Sequence, residues 1–119
     1  MADAGLFIGW GPPVRGREEK GLEILTEAME YWRGLQVENA IESFEAGLLE
    51  PHGGDLYGFI LVRGTEQQMS DLRGREDFER LNVRAGLTVQ RLGVVNVSIG
   101  DTLARALATY GKAVEEVGS

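Results

Sequence analysis

The chain has 119 residues, near the common size of one domain, so a single core spanning 1–119 is expected. Its 43% hydrophobic and 26% charged residues describe a globular protein, and a formal charge of -7 repels nucleic-acid phosphates and anionic lipid headgroups. Cysteine is absent and histidine occurs once, at His52, which excludes disulfides, thiolate chemistry and a multi-histidine metal centre within one chain. No apolar run approaches the roughly 20 residues that span a bilayer, and no leader-like start is seen. A cytoplasmic chain with no nucleic-acid partner, no membrane partner and no metal is therefore expected.

In chain order, Leu6 to Trp10 is a short apolar strand closed by Gly11-Pro12-Pro13, because two prolines cannot donate ladder hydrogen bonds. From about Arg17 to Leu35, Leu22, Leu25, Met29 and Trp32 recur at helical spacing among glutamates, predicting an amphipathic helix with Trp32 in the core. Ile41 to Leu49 and Leu56 to Gly64 read as two strands of an antiparallel hairpin across a Gly53-Gly54 linker. Thr65 and Gln68 have the spacing of a capping box and open a helix. Gly74 interrupts it, and Phe78, Leu81, Ala85 and Val89 resume the stripe. Leu92 to Ile99 is a strand, and Gly100-Asp101 offers a turn and an N-cap. Leu103, Leu107, Tyr110, Val114 and Val117 form the stripe of a last helix, with Gly118-Ser119 expected to fray.

The order strand, helix, strand, strand, helix, strand, helix predicts an α+β protein of ferredoxin-like βαββαβ type with an extra C-terminal helix. Its four-stranded antiparallel sheet carries helices on one face only, so the other face must be solvated, cover a ligand or meet a partner. The segments Gly58-Phe59-Ile60-Leu61-Val62-Arg63-Gly64, Arg75-Glu76-Asp77-Phe78 and Leu92-Gly93-Val94-Val95 resemble the third strand, second helix and last strand of the dimeric α/β barrel superfamily. That superfamily includes YCII-related and antibiotic-biosynthesis-monooxygenase-like proteins. The resemblance implies a homodimer whose two sheets face each other around small pockets.

If Val95, Val97 and Ile99 face the helices, strand alternation sends Asn96 and Ser98 to the open face. The same rule puts Tyr57, Phe59, Leu61 and Arg63 there, with Ser43 and Glu45 from the preceding strand. Such a mixed face suits a small organic ligand, with Trp10 at the pocket mouth and no cofactor. Glu45 could serve there as a general base, with Tyr57, Arg63 and Asn96 orienting a substrate of a cofactor-independent oxygenase or isomerase. Its commoner role is an ion pair with Arg63. A third reading is non-catalytic, with the final helix holding an oligomer together. Asn96-Val97-Ser98 fits a glycosylation pattern but lies in a strand, and Gly11 to Gly16 lacks the Lys-Ser/Thr of a phosphate loop. His52, in a turn, is expected to be solvated.

Overall fold

The computed structural model describes residues 3–118. Its elements are β1 (Ala4–Trp10), α1 (Glu18–Val37), β2 (Ser43–Leu48), β3 (Gly58–Gly64), α2 (Glu66–Arg73), α3 (Glu76–Gly86), β4 (Gly93–Val97) and α4 (Gly100–Val117). The strands form one antiparallel sheet in the order β2-β3-β1-β4. This is the ferredoxin-like α+β arrangement, with the predicted extra helix at the end.

β1 is the central apolar strand. Ala4, Leu6 and Ile8 point to the helix side, where they meet Ile60 and Val62 of β3 in the buried core. On α1 the core positions are Ile24, Ala28, Trp32 and Leu35, at i, i+4, i+8 and i+11. The expected stripe through Leu22 is thus corrected by two positions at its N-terminal end: Leu22 is 67% exposed. Trp32, 1% exposed, packs edge-on against both Tyr31 and Phe78.

The predicted capping box is present. The Gln68 N–H donates to Thr65 Oγ1 at 3.0 Å, and the Thr65 N–H donates to Gln68 Oε1 at 2.9 Å. The helix breaks at Gly74, as the stripe predicted, giving α2 and α3. Asp101 is not the N-cap of α4. The helix begins at Gly100, and the Thr102 hydroxyl takes over the capping work by accepting from the Ile99 N–H at 2.9 Å. At the other end Gly118 adopts a left-handed cap with φ 79°, while Ser119 lies outside the described residues.

A polar clip locks α1 to α3. Tyr31, half-buried, donates its hydroxyl to Asp77 Oδ1 at 2.9 Å, and the Arg75 guanidinium forks onto the same carboxylate. Arg75 also reaches Glu38 just past the end of α1. The hydrogen bonds from Arg75 hold the Asp77 carboxyl down at about 2, helped by the Tyr31 bond and by the first turn of α3. Burial, then the bond to Asp77, pushes the Tyr31 hydroxyl up.

A carboxyl depressed by folding contributes stability above its unfolded value near 4, and loses it as pH falls toward 2. Asp77→Asn should therefore flatten the fall in urea midpoint between pH 5 and pH 2 relative to the wild type. Trp32→Ala should cost about 3–5 kcal/mol in the same measurement at pH 7.

Candidate functional site

The two faces of the sheet differ in chemistry, and strand register decides which residue belongs to which. β4 pairs with β1 so that Asn96 lies beside Leu6, and Val95 and Val97 lie beside Phe7 and Gly5. Laterally paired residues share a face, and Leu6 is fully buried, so Asn96 stands on the helix side. There its Oδ1 accepts from Arg73 of α2 at 3.2 Å. Ser98, beyond the end of β4, borders a cleft between α2 and α4 together with Thr102 and Arg105. The expected placement of Asn96 and Ser98 on the open face is corrected accordingly: Val95 and Val97 occupy it instead.

The open face is consequently more apolar than the sequence reading held. Phe7 and Phe59 stack with ring centroids 5.7 Å apart and planes 16° from parallel. A Cβ on Gly47 would sit 2.7 Å from the Phe59 ring, and one on Gly9 2.8 Å from that of Phe7. The rings therefore lie over glycines instead of standing up from the sheet. Ile99 folds over Gly5 in the same manner. Polar groups lie at its margins: on the β2 side Glu45 Oε1 accepts from Arg63 Nη2 at 2.8 Å beside Ser43, and at the far end of β1 Arg91 pairs with Asp55 at 3.4 Å beside Phe7 and Val95. The Glu45–Arg63 contact is the ion-pair arrangement, formed between side chains 58% and 36% exposed.

The most apolar concavity is on the other side of the sheet. A cavity of about 390 Å³ opens between the sheet and the helices α1 and α3. Ile8, Trp10 and Ile60 form its floor. Its walls are built around absent volume: α1 presents Gly21 and Ala28, and α3 presents Ala85. A Cβ on Gly21 would meet Thr88 at 3.7 Å, an ordinary contact, so this end of α1 rests on the segment that follows α3. Trp10 lies flat over Gly58, where an added Cβ would meet its ring at 2.5 Å.

The predicted Pro12-Pro13 loop seals one end. Residues 11–14 run antiparallel to 88–90, with Gly11 N–H donating to Gln90 O, Gln90 N–H to Pro12 O and Val14 N–H to Thr88 O, all at 2.8–2.9 Å. Val89 is thereby drawn out of the helical stripe into this bridge, α3 having ended at Gly86. The rim is apolar and open: Leu22 and Leu48, the latter 73% exposed, stand beside Tyr57.

Tyr57 belongs to this site and not to the open face. It precedes β3, its N–H donates to Trp10 O at 2.8 Å, and outside the ladder the two-residue alternation no longer binds it. Leu56 packs over Gly9 on the open face in its stead. Four groups bring polarity to the cavity: Glu18, Tyr57, Asn82 and Thr88. Glu18 is engaged by the Gly16 N–H, and the Thr88 hydroxyl donates to Ala85 O. The Tyr57 hydroxyl and the Asn82 carboxamide make no hydrogen bond among the described residues, which leaves both open to an occupant. Asn82 had no sequence signal, since a polar residue on an amphipathic helix reads as a solvated face. Trp10 and Tyr57 thus meet at the cavity, while Phe59, Arg63 and Glu45 lie across the sheet from it.

His52 sits in the exposed β2-β3 loop, its ring nitrogen 3.0 Å from Glu50 O. Among the described residues no three His, Asp or Glu side chains cluster to hold a metal ion, and no helix is long and apolar enough to cross a membrane.

No family model and no curated protein matches the chain. Solved structures do. A dimeric ferredoxin-like protein of unknown function from Bacteroides fragilis is 12% identical, with a TM-score of 0.59 over 81% of this chain and 96% of its own. Its counterpart from Jannaschia is 15% identical, with a TM-score of 0.58 over 82% and 98%. SnoaB, a cofactor-independent oxygenase from Streptomyces nogalater, is 9% identical, with a TM-score of 0.53 over 83% and 95%. At such identities the likeness is one of fold: this chain has the ferredoxin-like architecture found in dimeric proteins and in oxygenases of the antibiotic biosynthesis monooxygenase kind.

Proposed function

We propose that the chain is a homodimer that binds an apolar small organic molecule, and that each protomer holds it between sheet and helices, not on the open sheet face. The cavity carries this reading. Its volume lies within the ~300–1,000 Å³ usual for small-molecule sites, and its lining is almost wholly aliphatic and aromatic. An apolar hollow of this kind is poorly served by water and takes an apolar occupant readily. Tyr57 and Asn82 then fix orientation through one or two hydrogen bonds.

Dimerisation is supported from the opposite face. Phe7, Phe59, Leu61, Val95 and Val97 make a contiguous apolar patch, and ferredoxin-like relatives of the same shape are dimers. A cytoplasmic setting accords with the cysteine-free composition.

The neutral fluorophore 1-aminoanthracene is a suitable probe. It should bind the wild type saturably, and Ala85→Phe, which fills the wall of the cavity, should weaken binding at least tenfold with the circular dichroism spectrum retained. Unchanged affinity in that variant would place the ligand elsewhere. Leu61→Glu, a charge set in the middle of the open face, should convert a dimer to a monomer in sedimentation velocity.

A second reading, catalysis in the same cavity, is favoured by the two unengaged polar groups. An enolisable apolar substrate held against Asn82 and Tyr57 would have donors beside the oxygen on which charge develops and the Glu18 carboxylate in the same lining to take its proton, the two needs of a cofactor-independent oxygenase or isomerase. Once a substrate is found by turnover screening, Tyr57→Phe and Asn82→Ala should each lower kcat/KM, on the order of 10²-fold. Full activity in both would leave the binding reading alone.

A further inference from the structure

We propose that α4 is an arm whose apolar stripe lies against a second copy of this chain, extending the sheet-to-sheet contact; this rests on the homodimer reading above. The helix has 18 residues and buries none of them. Leu103, Leu107, Tyr110, Val114 and Val117 follow one another at intervals of four, three, four and three, so they share one face. Leu107, Tyr110 and Val117 are 61%, 70% and 81% exposed. The face turned toward its own chain is the polar one: Arg105 pairs with Glu66 of α2, across a cleft that Thr102, Ala106 and Thr109 border.

An isolated helix of this length is marginal in water, and helices in proteins draw their stability from packing an amphipathic face. Within its own chain the stripe of α4 stays largely uncovered, Val114 being half-buried and the other four exposed. The chain is correspondingly spread out, with a radius of gyration of 16.3 Å where a compact domain of this length has about 13.5 Å.

Three observations select a second copy as the occupant. The stripe continues the open face, since Ile99, which folds over Gly5 beside Val97, lies one turn before Leu103. Area gives the second. At ~3.3 Å per residue and ~4.8 Å between strands the four-stranded face covers on the order of 400 Å², about half of what each partner gives a stable interface. A helix ~27 Å long, at ~1.5 Å per residue, lying along the partner supplies the remainder. Charge gives the third. α4 carries three acidic residues, Asp101, Glu115 and Glu116, and two basic ones, Arg105 and Lys112, which is not the Lys/Arg-rich polar face that holds a helix on a membrane.

The test uses the full chain. A photoreactive benzoyl-phenylalanine at position 107 should give, on irradiation, a covalent dimer on a denaturing gel, and Leu107→Glu with Tyr110→Glu should raise the dimer dissociation constant at least 100-fold without loss of helical signal. Irradiation that yields only intrachain products, or a double variant that dimerises within twofold of wild type while Leu61→Glu is monomeric, overturns the arm and leaves the sheet interface standing. A wild type that sediments as a monomer overturns both. Irradiation products formed only in the presence of phosphatidylglycerol vesicles would assign the stripe to a lipid surface and overturn the proposal. Binding of the fluorophore to a monomeric double variant would show that the cavity works without the arm.

Discussion

Pairing of β1 on both of its edges is the constraint from which the rest of the molecule follows. Leu6 and Ile8 have to be buried beneath the helices, and once they are, the register with β3 and β4 assigns a side to every residue of the sheet. Ile60 and Val62 join the core, while Phe59 and Leu61 go to the opposite face with Phe7. A slip of one residue would exchange the core for the solvent face, and the buried methyl groups of Leu6, Ile60 and Val62 make that arrangement expensive. The same register leaves the open face apolar at its centre and ionic at its margins, along β2 and at the Arg91–Asp55 pair.

Small residues then do the shaping. On the open face, glycines let the rings of Phe7 and Phe59 lie down, making a flat surface that a similar surface can meet. On the helix side, Gly21 and Ala28 hold α1 close to the sheet without filling the space between them, and Ala85 does the same from α3. The far ends of these helices are tied by the Tyr31, Asp77 and Arg75 clip and by Trp32. The helix pair is thus firmly packed at one end and open at the other, and the opening is the cavity.

The order of elements could be read from the sequence because each rests on a local signal: the period of apolar residues, the Thr65–Gln68 box, the break at Gly74. Faces were harder. In β4 both Val94 and the Val95–Val97 pair are apolar, so alternation alone offered no way to tell core from open side, and the more apolar set was assigned to the helices. The register with Leu6 reverses that choice, and Asn96 with it. The Glu45–Arg63 pair was legible because its two strands are neighbours in sequence and carry opposite charges at matching parity. The cavity was not, since it is formed by missing side chains on helices more than fifty residues apart, and Asn82 acquires its meaning only from that gap.

Trp10 and Trp32 are the chain's two tryptophans, and both border the cavity, one as its floor over Gly58 and one at its packed end beside Phe78. Indole emission depends on the polarity and the quenchers around the ring. The entire tryptophan fluorescence of this protein therefore originates at the site, with no remote indole to dilute it, and the molecule carries its own optical gauge of whether that space is empty, wet or filled.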